Sequence, residues 1–216
     1  MQDATQRRSQ VPLSVAGPAV LDRHTVNLPS TDYRDSRRVA WAVLCVAMAL
    51  LAFELVVTRL FSVILWNHFA FLAISVALFG LGVAGMAVYL LPSLFRPERA
   101  VDHLCACALL FPPVLWVAVA GLCALPIRMD FSRQMFTFLA IVFFTAALPF
   151  AVGGLVIALA LTHWPRQVNR IYAFDLVGSA LGCLLVIVLL GQLDGPSAAL
   201  ALGVLPALAA LILRPS

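Results

Sequence analysis

The sequence predicts an all-α fold, a polytopic transmembrane helical bundle of about six helices, and three observations carry that prediction. Of 216 residues, 63% are hydrophobic and only 11% charged, with a mean hydropathy of +1.02, far from the balance of a soluble domain. The apolar residues fall into runs at about 39–66, 69–91, 103–127, 135–162, 171–191 and 195–213. Each is near or above the roughly 17–25 residues that cross the hydrocarbon core as a helix. What remains outside these runs cannot build a soluble catalytic domain.

Residues 1–38 are polar and hold six arginines and four aspartates, so they are expected to form a disordered, arginine-rich tail. The first apolar run begins near Val39, too far in and too long for a secretory signal, and reads as a retained helix. Trp66-Asn67-His68, Pro92 to Asp102, Arg128 to Gln134, His163 to Arg170 and Gly191 to Pro196 separate the runs. These connections are short, which makes consecutive helices antiparallel neighbours. Pro112, Pro113, Pro149 and Pro206 fall inside runs and are expected to kink helices without ending them. Trp66, Trp164 and Tyr89 read as interfacial anchors.

Lysine is absent and all fourteen basic residues are arginine, which reads as coding bias. Basic residues accumulate on the cytoplasmic side of membrane proteins. The tail, Arg96, Arg99, Arg166, Arg170 and Arg214 put eleven arginines on one side; Arg128 and Arg133 are the two on the other. Both termini are therefore expected in the cytoplasm of a cell with a cytoplasmic (inner) membrane. The five cysteines, Cys45, Cys105, Cys107, Cys123 and Cys183, lie in apolar stretches and show neither a zinc spacing nor a disulfide framework. The histidines His24, His68, His103 and His163 lie in the tail or at helix ends and do not form a metal site. No catalytic, cofactor-binding or metal-binding residue is assigned, and no nucleic-acid partner is expected; the lipid bilayer is the first partner.

Gly80-Leu81-Gly82-Val83-Ala84-Gly85 matches the dinucleotide pattern G-x-G-x-x-G. That pattern works where a strand turns into a helix, whereas here it sits within a continuous apolar run. Ala70, Ala73, Ala77, Gly80, Ala84 and Ala87 recur at alternating steps of three and four, a stripe that lets another helix approach closely. Gly178 and Gly182 form a G-x-x-x-G pair of the same kind, with self-association one use for such faces.

Three charged residues stand inside the apolar runs. Asp175 precedes Gly178 on the same face; a carboxylate near mid-bilayer costs roughly 2.5–3.5 kcal/mol on insertion scales, so it should point inward and find donors, with Tyr172 and Arg170 the local choices. Glu54, Thr58 and Ser62 make a polar line down the first helix, and Glu54 is expected to be the most buried acid. Arg59 is about 140° around the helix from Glu54, a poor pairing, and should snorkel outward or meet Asp130 or Asp194. Structural and functional roles for Glu54 and Asp175 both remain open at this level.

The stretches Glu54-Leu55-Val56-Val57-Thr58-Arg59-Leu60-Phe61-Ser62, Leu65 to Ser75 and Arg170-Ile171-Tyr172-Ala173-Phe174-Asp175-Leu176-Val177-Gly178-Ser179-Ala180-Leu181-Gly182 resemble bacterial spermidine-synthase-like membrane proteins over roughly residues 40–213. The resemblance implies a helical bundle that precedes a soluble, Rossmann-like aminopropyltransferase domain acting on a decarboxylated adenosylmethionine donor and a polyamine. That domain would follow the last helix, so no catalytic residue transfers; the positions that do are Glu54, Arg59, His68, Tyr172, Asp175, Gly178 and Gly182. The leading expectation is a membrane domain that anchors, or couples to, such a soluble domain. The alternative is a small transporter or half-transporter for a cation such as a polyamine, using Glu54 and Asp175. A third reading is a lipid-embedded assembly module without a ligand.

Overall fold

The computed structural model of the chain describes residues 30–64, 70–124 and 133–214. The tail before Ser30, with His24, and Trp66, His68, Arg128 and Asp130 lie outside them. Among the described residues seven α-helices carry the fold: α1 Ser30–Ile64, α2 Ala70–Leu90, α3 Ala100–Ala124, α4 Arg133–His163, α5 Val168–Gln192, α6 Gly195–Leu202 and α7 Val204–Leu213. Single 3-10 turns at Pro97–Arg99 and Pro165–Gln167 lead into α3 and α5. Among the described residues there is no strand, and six helical stretches are long and apolar enough to cross a membrane, α6 and α7 together forming the sixth.

The first helix starts at Ser30, inside the segment that hydropathy assigns to the tail. Hydropathy marks where lipid contact begins, whereas the i to i−4 hydrogen-bond ladder continues wherever the chain is packed. The buried stripe of Val43, Ala40 and Val39 runs back to Ser36, which is fully buried, so packing against the bundle extends into the polar start of α1 as far as Ser36.

α1 is the axis of the bundle. Of its apolar stretch 61% is buried, against 17% for α5, and it touches α2, α4, α5, α6 and α7. Phe53 and Phe61 from α1, Phe111 from α3 and Phe150 from α4 are the largest fully enclosed side chains, and the Phe53 and Phe150 rings meet at 5.2 Å.

Glycine sets two of the helix contacts. A Cβ on Gly80 would lie 2.5 Å from the Cβ of Phe150, 2.8 Å from the Ala147 carbonyl oxygen and 3.0 Å from the Ala151 nitrogen, so α2 touches the α4 backbone there. A Cβ on Gly178 would overlap the Leu44 carbonyl oxygen, and one on Gly182 would lie 2.5 Å from that of Met48. Lipid-embedded helices gain van der Waals contact through such close approach. Gly82 and Gly85 have no neighbouring atom within 4 Å; the G-x-G-x-x-G sits wholly within α2 and has no strand before it.

Pro112, Pro113 and Pro149 stay inside α3 and α4. Pro206 does more than kink: with no N–H to give to the Leu202 carbonyl, the sixth span divides at Gly203. The Trp116 indole fills the break, its Nε1 donating to the Leu200 carbonyl at 3.1 Å, and a Cβ on Gly203 would come within 2.7 Å of that nitrogen. Asp194 caps α6 by accepting from the Ser197 N–H at 3.5 Å. Hydrogen bonding from the Ser197 side chain, then from the backbone, holds its carboxyl below the usual carboxylate range. The α7 end returns to the α1 start, where Val39 and Leu213 line one cavity with Asp35, Arg38 and Asp102.

Candidate functional site

α5 reaches the rest of the bundle mainly through α1. With Gly178 on Leu44 and Gly182 on Met48, the two helices run parallel and in step, and beside that seam the flank of α5 stands apart from α2 and α4. The result is a partly open groove of about 210 Å³. α1 forms its floor with Ala47, Leu50, Leu51 and Glu54; Asp175 and Ser179 of α5 form one wall; Leu81, Phe150 and Ile157, from α2 and α4, form the other. Gly153 of α4 brings that wall onto the floor, since a Cβ there would meet the Leu50 side chain at 2.8 Å.

The groove thus holds both carboxylates of the apolar spans. Each is half-buried. Neither carboxylate makes a hydrogen bond or ion pair among the described residues. The Glu54 backbone carbonyl accepts from Thr58 Oγ1 at 2.8 Å, which satisfies the hydroxyl and leaves the carboxylate alone. The donors expected for Asp175 are turned elsewhere. Tyr172 is 53% exposed, and the Arg170 guanidinium lies over the Phe174 ring, 5.9 Å from its centroid.

Arg59 is exposed on α1 and stands outside the groove. Its neighbour Leu60 packs against Gly195, yet Arg59 and Asp194 do not form an ion pair among the described residues. The Ser62 hydroxyl turns back to the Arg59 carbonyl at 2.8 Å, so the polar line below Glu54 is spent on the helix's own backbone. Gly80 lies at the α2–α4 contact, and Gly178 and Gly182 flank the groove and set its width. Away from it, the ring nitrogens of His163 face two carbonyls, Nδ1 that of Leu159 at 3.0 Å and Nε2 that of Phe95 at 3.2 Å, while His103 meets the Phe95 ring edge-on at 5.9 Å.

Ser179 is the polar lining residue that sequence reading passed over. Its signal was its place one turn after Asp175, on the same face. The apolar lining from α2 and α4 had no comparable signal. No family model, curated protein or solved structure matches the chain.

Chemically, the groove is a pair of hydrogen-bond acceptors and a hydroxyl set in aliphatic and aromatic walls. A carboxylate accepts up to about four hydrogen bonds and, when ionised, donates none. Its complement is a donor-rich cation.

Proposed function

We propose that this chain is a membrane domain that binds a cation in the groove between α1, α5 and the α2–α4 pair, acting as a small transporter or half-transporter. The observation that carries this reading is the meeting of Glu54 and Asp175, from helices far apart in sequence, on one partly open cavity, with no donor to either carboxylate among the described residues. Ionisable groups within spanning segments are costly, about 2.5–3.5 kcal/mol at the helix centre on insertion scales and less toward the headgroups, and mark ion or substrate paths. A bound cation would offset that cost by giving donors to the carboxylate it meets.

Membership of the spermidine-synthase-like membrane proteins is proposed on a related footing. Two of the stretches that carry the resemblance supply Glu54 to the groove floor and Asp175 with Ser179 to its wall. On this reading a soluble aminopropyltransferase-like domain is a candidate partner, coupled to the groove through the bundle. The arginine asymmetry assigns the end where α1 begins and α7 stops to the cytoplasm.

The test is binding of radiolabelled dodecylamine to the protein in phosphatidylcholine nanodiscs, corrected for empty nanodiscs. Saturable binding that disappears in the Glu54→Gln, Asp175→Asn double variant is the expected result. Uptake no greater than by empty nanodiscs would reject the cation reading.

A further inference from the structure

The two carboxylates are too far apart to grip one small ion. Gly178 lies on Leu44 and Gly182 on Met48, and the Trp41 and Phe174 rings meet at 5.2 Å, so Asp175 stands level with Trp41. Glu54 is thirteen residues farther along α1, about 20 Å away at the helical rise of 1.5 Å per residue. Asp175 and Ser179 therefore mark one end of the groove and Glu54 the other. Between them the lining is Ala47, Leu50, Leu51, Leu81, Phe150 and Ile157, without a formal charge.

The geometry points to an elongated aliphatic dication as the ligand: two ammonium groups separated by a long saturated chain, one at each carboxylate, with the chain along the apolar walls. This inference rests on the cation-binding reading above. An ammonium has three donors and suits a carboxylate, with the Ser179 hydroxyl as a further acceptor at one end. A hard divalent metal takes about six or more oxygens, which neither end of the groove supplies. The apolar middle favours methylenes over a hydrated chain. Joining the two charges makes the second contact intramolecular, so a chain of matching length gains strongly over a short one or a single amine.

Calorimetric titration of the protein in phosphatidylcholine nanodiscs tests this, using dodecylamine, diaminobutane, diaminooctane and diaminododecane, each corrected with empty nanodiscs. Diaminododecane should bind at least about tenfold more tightly than dodecylamine or diaminobutane, the ratio that one added charge-assisted contact supplies. Glu54→Gln and Asp175→Asn should each bring it down to the dodecylamine value. Equal affinities for dodecylamine and diaminododecane, or a best fit at diaminobutane, would overturn the dication while leaving cation binding in place. No binding of any of the four would overturn both. The length series on the unaltered protein decides the matter even if a variant fails to fold.

Discussion

Adding one methyl group at Gly182 tests the seam that shapes the groove. The new Cβ would stand 2.5 Å from the Met48 carbonyl oxygen, 3.2 Å from the Met48 Cα and 3.3 Å from the Ala52 nitrogen, where ordinary contact starts at 3.4 Å. All three are backbone atoms, which cannot swing aside as a side-chain tip can. α5 must therefore back away from α1 by roughly 0.9 Å, and a gap of about 0.5–1 Å forfeits a quarter to a half of the dispersion energy of the atoms along it. Overpacking of this kind costs about 1–3 kcal/mol. At about 2–4 °C per kcal/mol for a chain of this size, Gly182→Ala should lower the melting midpoint by several degrees. Gly178→Ala should lower it at least as far, because its Cβ would overlap the Leu44 carbonyl.

Gly191→Ala is the matched control on the same helix, and Gly82→Ala is one on α2. Neither glycine has an atom within 4 Å of an added Cβ, so each variant should be neutral or gain up to about 1 kcal/mol from helix propensity. The assay is thermal unfolding in detergent at one fixed scan rate, with midpoints compared as a ranking because membrane proteins commonly unfold irreversibly. If Gly182→Ala and Gly191→Ala melt together, the close α1–α5 seam is wrong, and the register that places Asp175 and Glu54 on one groove falls with it.

Two further outcomes follow from the same packing. Trp116→Phe keeps most of the ring but removes the donor to the Leu200 carbonyl, and should cost about 0.5–1.5 kcal/mol, with faster amide exchange at Gly203 and Val204 as the local readout; unchanged exchange there would show that the indole does not stabilise the break. Reporter fusions after Arg99, Arg170 and Arg214 should behave as cytoplasmic and one at Asp130 as external, as the arginine asymmetry requires; an external signal at Arg214 would refute the assigned topology.

The helical spans were legible in the sequence because lipid selects for apolar side chains along the entire crossing, and that signal survives without knowledge of any contact. The ends were less so. Ser30 to Arg38 is polar by composition yet helical, with Ser36 buried against the bundle, and Pro206 reads as a tolerated kink until the uncompensated Leu202 carbonyl and the Trp116 indole are seen to part α6 from α7. Small-residue faces were legible as faces only. Gly178 and Gly182 announce that something approaches closely, but nothing in α5 says that it is Leu44 and Met48 of α1.

That missing register is what the candidate site depends on. Along a helix, sequence spacing says which side chains share a face, and it correctly places Asp175 beside Gly178. It also suggested Arg170 and Tyr172 as donors, because it cannot say that the Arg170 guanidinium lies over the Phe174 ring and that Tyr172 is more than half exposed. Glu54 and Asp175 looked like two separate intramembrane acids with separate explanations. They become ends of one feature only when a pair of glycines fixes α5 against α1 in parallel step, and the same step sets their separation at about 20 Å. Shifting α5 by one turn would move Asp175 about 5.4 Å relative to Glu54, so ligand length preference reads that register directly, whereas the sub-ångström retreat expected of Gly182→Ala should lower stability and leave the preferred length unchanged.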